Sequence, residues 1–270
     1  MIDQNFLPLK VSVYLTNHCH YHCKYCFFEE HHQLNTEHLS EKNIQRFLSF
    51  MKQYEVPLIS ICGGDPLVHA GFLDFAHQLS SSGNYAIVST NAVNISKEYL
   101  VAVKKSGIRY LQIGVDRVSN RFIDNYKEDG HIEKILQSIR WMQEVGLSYG
   151  FAACITRENI AYLDELVNFS KLQSADLLKV SLYDGMNPQF QISDSQLDQL
   201  INKIDDLNKK NDNYIKGSFI KQSLQFESLY PSLTIYTDGT LAIEETGEIL
   251  GNIGKSDPGK LYRDYINGRD

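Results

Sequence analysis

From residue 9 to about residue 210, apolar stretches of strand length alternate with amphipathic stretches of helix length. Leu9–Thr16 (LKVSVYLT) alternates residue by residue, the period of a strand with one covered face. Ser40–Tyr54 spaces Ile44, Phe47, Leu48 and Met51 three and four apart, which is one face of a helix. Pro57–Cys62 reads as a second strand running into the turn Gly63-Gly64-Asp65-Pro66, and Gly71–Leu79 as the next helix. Strands then follow at 85–90, 110–116, 149–156 and 178–184, with helices at 97–105, 131–145, 160–172 and 194–209.

Six strands, each followed by a helix, predict an α/β fold with a parallel sheet and right-handed crossovers. Six units are too few to close an eight-stranded barrel, so an open, partial (β/α)6 parallel barrel is expected over residues 1–211. Its functional groups belong at the carboxyl ends of the strands. Residues 212–270 read as a small C-terminal extension. NKIDDLNKKNDNYIKGS is a polar helix end and linker, and LTIYTDGTLAIEE a β-hairpin around Asp238-Gly239. LGNIGKSDPGKLYRDYI is a turn followed by a short helix.

Composition narrows the function classes. With 270 residues, 43% of them hydrophobic and 22% charged, the chain is ordinary globular protein of single-barrel size. No run of 18 apolar residues predicts a membrane span, and no basic segment followed by an apolar block marks a secretory signal. Lys and Arg number 26 against 33 Asp and Glu, a net charge of −7 that weighs against nucleic-acid binding. A cytoplasmic location, with neither membrane nor nucleic acid as partner, is the expectation.

Of five cysteines, three fall within eight residues: Cys19-His-Tyr-His-Cys23-Lys-Tyr-Cys26. An odd, clustered set is no disulfide framework, and in a reducing compartment it reads as a metal site. Structural zinc, with His18, His20 or His22 as fourth ligand, is one reading, giving a binding module without catalysis. An iron–sulfur cluster on three thiolates, with one iron left open, is the other. His31 and His32 also lie near this loop, where histidines read as solvated and loop-shaping.

Cys-x3-Cys-x2-Cys with an aromatic before the last cysteine resembles the signature of radical S-adenosylmethionine (radical SAM) enzymes. Ile61-Cys62-Gly63-Gly64-Asp65-Pro66 resembles that family's glycine-glycine-glutamate-proline motif, with Asp in place of Glu. Thr90-Asn91 and Gly114-Val-Asp116 resemble its threonine-asparagine and serine-x-aspartate segments, with Gly114 where the family's usual Ser would stand.

The resemblance implies one [4Fe–4S] cluster on Cys19, Cys23 and Cys26, and S-adenosylmethionine bound to its open iron. Reductive cleavage then gives a 5′-deoxyadenosyl radical that takes hydrogen from the substrate. It also implies that Tyr25 packs near the cluster and adenine, that the Phe27 backbone reads the adenine edge, and that Gly63 and Gly64 hold the methionine amino group. Asp65, Thr90, Asn91 and Asp116 become candidates for contacts to the cofactor or substrate. A reducing partner such as flavodoxin or ferredoxin would supply the electron.

The tail resembles the hairpin that opens SPASM or twitch extensions of peptide-modifying members. Ala242, Ile243, Glu244 and Glu245 occupy the stretch where the first auxiliary-cluster cysteine would stand, and no cysteine follows Cys154. A cluster-free extension that covers the open side of the barrel or helps bind substrate is expected. A ribosomal peptide or a small natural-product precursor is the implied substrate. The cysteine loop also resembles that of viperin-like nucleotide-modifying enzymes, but Lys179 is the one obvious strand-borne cation for a triphosphate. Cys154 reads first as a buried small residue, and as a hydrogen-atom donor if its thiol faces the lumen. Cys62 reads as packing.

Overall fold

The computed structural model describes residues 8–26, 37–54, 56–118, 130–218 and 231–268. Its strands are β1 (Lys10–Thr16), β2 (Leu58–Gly63), β3 (Tyr85–Thr90), β4 (Tyr110–Gly114), β5 (Ser148–Ile155), β6 (Leu178–Leu182) and β7 (Ile215–Ser218). The tail adds β8 (Leu233–Ile235), β9 (Thr240–Ile243) and β10 (Ile249–Asn252). Between them lie α1 (Glu41–Gln53), α2 (Phe72–Ser80), α3 (Lys97–Lys105), α4 (His131–Val145), α5 (Leu163–Leu172), α6 (Asp194–Lys210) and α7 (Pro258–Asn267). The described strands form one unclosed sheet ordered β10-β9-β8-β1-β2-β3-β4-β5-β6-β7. Neighbours from β1 to β7 are parallel, as a strand–helix–strand repeat requires.

The strand alternation sorts side chains onto two faces. Val11, Val13, Ile59, Ile61, Leu111, Ile113, Phe151, Ala153, Leu178 and Val180 are fully buried and join the helices in one core. Ser60, Cys62, Ile87, Ser89, Ala152, Cys154, Lys179 and Ser181 alternate with them and are only partly covered. These line the interior. On α1, Phe47 is fully buried and stacks on Phe75 of α2 at 5.8 Å. Truncating such a side chain to alanine costs about 3–5 kcal/mol. Ser40 caps α1 by accepting from the Asn43 amide, and Ser193 opens α6 in a reciprocal capping box with Gln196.

Strands β1 and β6 are five places apart in the order, about 24 Å in a flat sheet at ~4.8 Å per strand. Yet Tyr25, in the loop after β1, reaches Asp116 beyond β4 and the ring of Phe190 beyond β6. The sheet therefore curls, with its partly covered face pointing inward.

Two stretches depart from the sequence reading. The polar linker ends in a seventh parallel strand, β7, paired with β6. Four residues carry too little periodicity to announce a strand, and Asn208 of α6 fixes it by exchanging two hydrogen bonds with the Ile215 backbone (2.7 and 2.9 Å). In the tail, the segment read as a turn contains β10, antiparallel to β9. The hairpin itself forms, with Gly239 at φ +86°, and β8 runs parallel to β1. The tail therefore continues the barrel sheet at its β1 edge. No helix among the described residues is long and apolar enough to cross a membrane.

Candidate active site

The chemistry-bearing motifs meet at the carboxyl ends of the strands. The loop after β1 carries Cys19, Cys23 and Cys26, each a partly exposed thiol outside any disulfide. Cys26 closes a tight turn by donating its amide to the Cys23 carbonyl at 2.9 Å. The Cys19 sulfur accepts from the Tyr21 amide and from Asn91 Nδ2, both at 3.4 Å. Donors aimed at a sulfur favour its thiolate, the form that ligates metal.

Two tyrosines fasten this loop to the barrel. Tyr25 donates to Asp116 Oδ2 at 2.6 Å, and its ring meets the edge of Phe190. Burial, and then the Asp116 charge, push its phenol well above the ordinary range, so it remains a donor. Tyr21 is buried, and its hydroxyl shares a 2.8 Å hydrogen bond with His131 Nδ1 at the start of α4. No local pattern announces that anchor, because the partners lie 110 residues apart.

Gly63 and Gly64 end β2 directly against the root of the cysteine loop. The Gly64 amide donates to the Thr16 carbonyl at 2.8 Å, and the Asp65 amide to the His18 carbonyl at 2.7 Å. A Cβ on Gly63 would run into the Thr16 oxygen, and one on Gly64 into the Asn17 and His18 oxygens. Gly63 also sits at φ +144°, where side chains are strained. The close approach read from the glycines is thus, in this structure, made to the neighbouring loop backbone.

Asp65 is almost wholly buried. Its carboxylate accepts from the Leu67 amide (3.0 Å), Thr90 Oγ1 (2.8 Å) and the Asn91 amide (3.0 Å). It therefore braces the end of β3 against the end of β2, and Thr90 is spent on the same brace. Asn91 is left directed at Cys19. Asp116 takes the Cys154 amide on Oδ1 at 2.7 Å and Tyr25 on Oδ2, while Asn159 clasps the Asp116 and Cys154 carbonyls.

Cys154 lies on the interior face of β5, between buried Ala153 and Ile155, and is partly exposed. Cys62 lies on that face of β2 as well, with Ser60 Oγ 3.3 Å from its sulfur. This corrects the reading of Cys62 as packing, since strand alternation turns it away from the helix side. His18 approaches Glu37 at 3.2 Å and packs edge-on against His38, so its ring is engaged by these two residues. Phe27, His31 and His32 lie outside the described residues.

Residues 13–170 match the Radical SAM superfamily. The chain belongs to it. A PqqA peptide cyclase of Rhodopseudomonas palustris is 27% identical over 177 residues, 65% of this chain and 47% of that protein. A tungsten-containing aldehyde ferredoxin oxidoreductase cofactor-modifying protein of Pyrococcus furiosus is 25% identical over 268 residues, 95% of this chain and 73% of that protein. Among solved structures, Streptococcus suis SuiB bound to its precursor peptide SuiA has a TM-score of 0.75 at 17% identity, covering 98% of this chain and 67% of SuiB. The chain spans about half the length of the first of these relatives.

Membership of the radical SAM superfamily implies S-adenosylmethionine and a [4Fe–4S] cluster as cofactors. The residues fit such a group. Three thiols stand on one loop at the barrel rim, and one of them already accepts two N–H donors.

Proposed function

We propose that the protein is a radical SAM enzyme that modifies a peptide, with Cys19, Cys23 and Cys26 holding the cluster. The observation that carries this reading is the anchoring of the cysteine loop, through Tyr25 and Asp116, to the backbone of Cys154 inside the barrel. When bound, cluster and cofactor supply a 5′-deoxyadenosyl radical that removes a hydrogen atom from the substrate.

The chain's own residues do the rest. Asn91 stabilises the Cys19 thiolate. Gly63 and Gly64 keep the rim beside the loop free of side chains, so that backbone alone faces the cofactor's amino group. Asp116 sets the position of Tyr25 and of β5, and Cys154 presents its thiol to the interior as the hydrogen-atom donor to a substrate radical, its thiyl radical then being returned to the thiol by a proton and one electron from the reducing partner. Residues 212–270 extend the barrel without a second cluster, and a flavodoxin or ferredoxin supplies the electron. The peptide substrate is supported by the peptide cyclase relative and by the SuiB–SuiA likeness in fold.

Anaerobic reconstitution tests the reading. About four irons and four sulfides per chain, and reductant-dependent release of 5′-deoxyadenosine, are expected. A colourless protein carrying one zinc, or a cluster that never engages the cofactor, would overturn it.

A further inference from the structure

The barrel interior carries charge that the cluster end does not use. Lys10 on β1 pairs with Glu244, the residue after β9, at 2.5 Å, and Ser12 donates to the other Glu244 oxygen at 2.9 Å. The tail thus places a carboxylate inside the barrel at the stretch where SPASM relatives would carry a cysteine. Across the interior, Lys179 alternates with fully buried Leu178 and Val180, so its side chain enters the same space. It has no hydrogen-bond or ion-pair partner among the described residues. Burial, and then the like charge of Lys10, lower its pKa; Cys62 and Glu244 act the other way.

Two ammonium groups and one carboxylate leave this interior with one net positive charge. An ammonium largely withdrawn from water is costly where the facing carboxylate, Glu244, is already paired with Lys10. A stem that merely filled space would be replaced by methionine or leucine without loss. One net charge suits a singly charged anion, whereas a doubly charged phosphate would also meet Glu244.

We infer that Lys179 binds a carboxylate of the substrate inside the barrel, with the Lys10–Glu244 pair setting the charge of that site. This rests on the proposed radical SAM reading for the word substrate, but the site itself can be read without turnover. The carboxylate belongs to an acidic peptide residue or to a small organic acid, which share the recognising chemistry.

The test uses the anaerobically reconstituted full chain with S-adenosylmethionine, in equilibrium dialysis. The probes are labelled butyrate and an N-acetylated, C-amidated Ala-Glu-Ala peptide, each with one carboxylate, with the Gln counterpart of the peptide and inorganic phosphate alongside. Saturable binding of butyrate or of the Glu peptide is expected, weakened about tenfold or more in Lys179→Met, as for a lost hydrogen bond to a charged group. Lys179→Arg should restore binding, Glu244→Gln should strengthen it, and Lys105→Met on the outer surface should leave it unmoved. Preference for the Glu peptide assigns a peptide carboxylate, and preference for butyrate a small acid; either supports the site.

Equal binding by native protein and Lys179→Met, binding by neither probe, or preference for phosphate overturns the inference. Should Lys179→Met not fold, the Arg and Glu244→Gln variants still decide: loss of binding in the first or no strengthening in the second refutes it. Release of 5′-deoxyadenosine is scored separately. Normal release without carboxylate binding removes only this inference, and Lys179-dependent binding without release removes only the radical SAM reading.

Discussion

Tyr25 and Asp116, 91 residues apart in sequence, are joined by a 2.6 Å hydrogen bond. The other oxygen of the same carboxylate holds the Cys154 amide at 2.7 Å. One side chain thus ties the metal-binding loop to the strand that carries the interior thiol. Asp116→Leu leaves a phenol and an amide without their acceptor, at about 1–3 kcal/mol for each buried group. Lower urea stability and lower iron content after reconstitution are expected together. An unchanged iron content would mean that Tyr25 does not position the loop.

Asn91 reaches the Cys19 sulfur with its amide. Hydrogen bonds to cluster sulfurs stabilise the reduced, more negative state. A net worth of about 0.5–1.5 kcal/mol corresponds to roughly 20–65 mV for one electron. Asn91→Ala should lower the midpoint potential by that order, read by redox titration with electron paramagnetic resonance. A potential equal to the native one would remove the role.

Gly64 lies where a Cβ would collide with the Asn17 and His18 carbonyls. Gly64→Ala forces the root of the cysteine loop away from β2, with a cost of about 1–3 kcal/mol for overpacking. The expected outcome is weaker S-adenosylmethionine binding by dialysis together with a lower unfolding midpoint. Native behaviour in both would show that the junction has slack.

Burial raises Asp65 above its ordinary 3.8, against the opposing hydrogen bonds from Asn91, Thr90 and Leu67. The folded state then keeps this proton to higher pH than the unfolded chain. Between the ordinary value and the raised one the native state binds more protons, so this group's contribution to stability is present below that window and declines as pH rises through it. Asp65→Asn cannot titrate and also misplaces one acceptor, costing about 1–3 kcal/mol. The native-minus-variant difference in unfolding free energy, measured by urea at a series of pH values from about 4 upward, should shrink with pH; a constant difference would refute the shift.

Cys154 faces the interior and is partly exposed. If its thiol returns the hydrogen atom, Cys154→Ala should still release 5′-deoxyadenosine but form little product, and the native enzyme in deuterated water should label the product. Unchanged product formation would dismiss the donor role.

The alternation of strands with amphipathic helices, and a cysteine triplet placed just after the first strand, were local properties of the chain. They determined the parallel open barrel, the order of its units and the rim on which the motifs stand. Periodicity needs several residues to register, so β7 and β10, four residues each, escaped it. Contacts made by folding escaped it too: Tyr21 with His131, Asp65 as a brace between two strands, and Asn91 turned to a sulfur. The interior charge set of Lys10, Lys179 and Glu244 exists only because the sheet curls and the tail docks on β1. Face and period are written residue by residue along a chain, whereas the meeting of side chains far apart in sequence depends on how the strands close around one another.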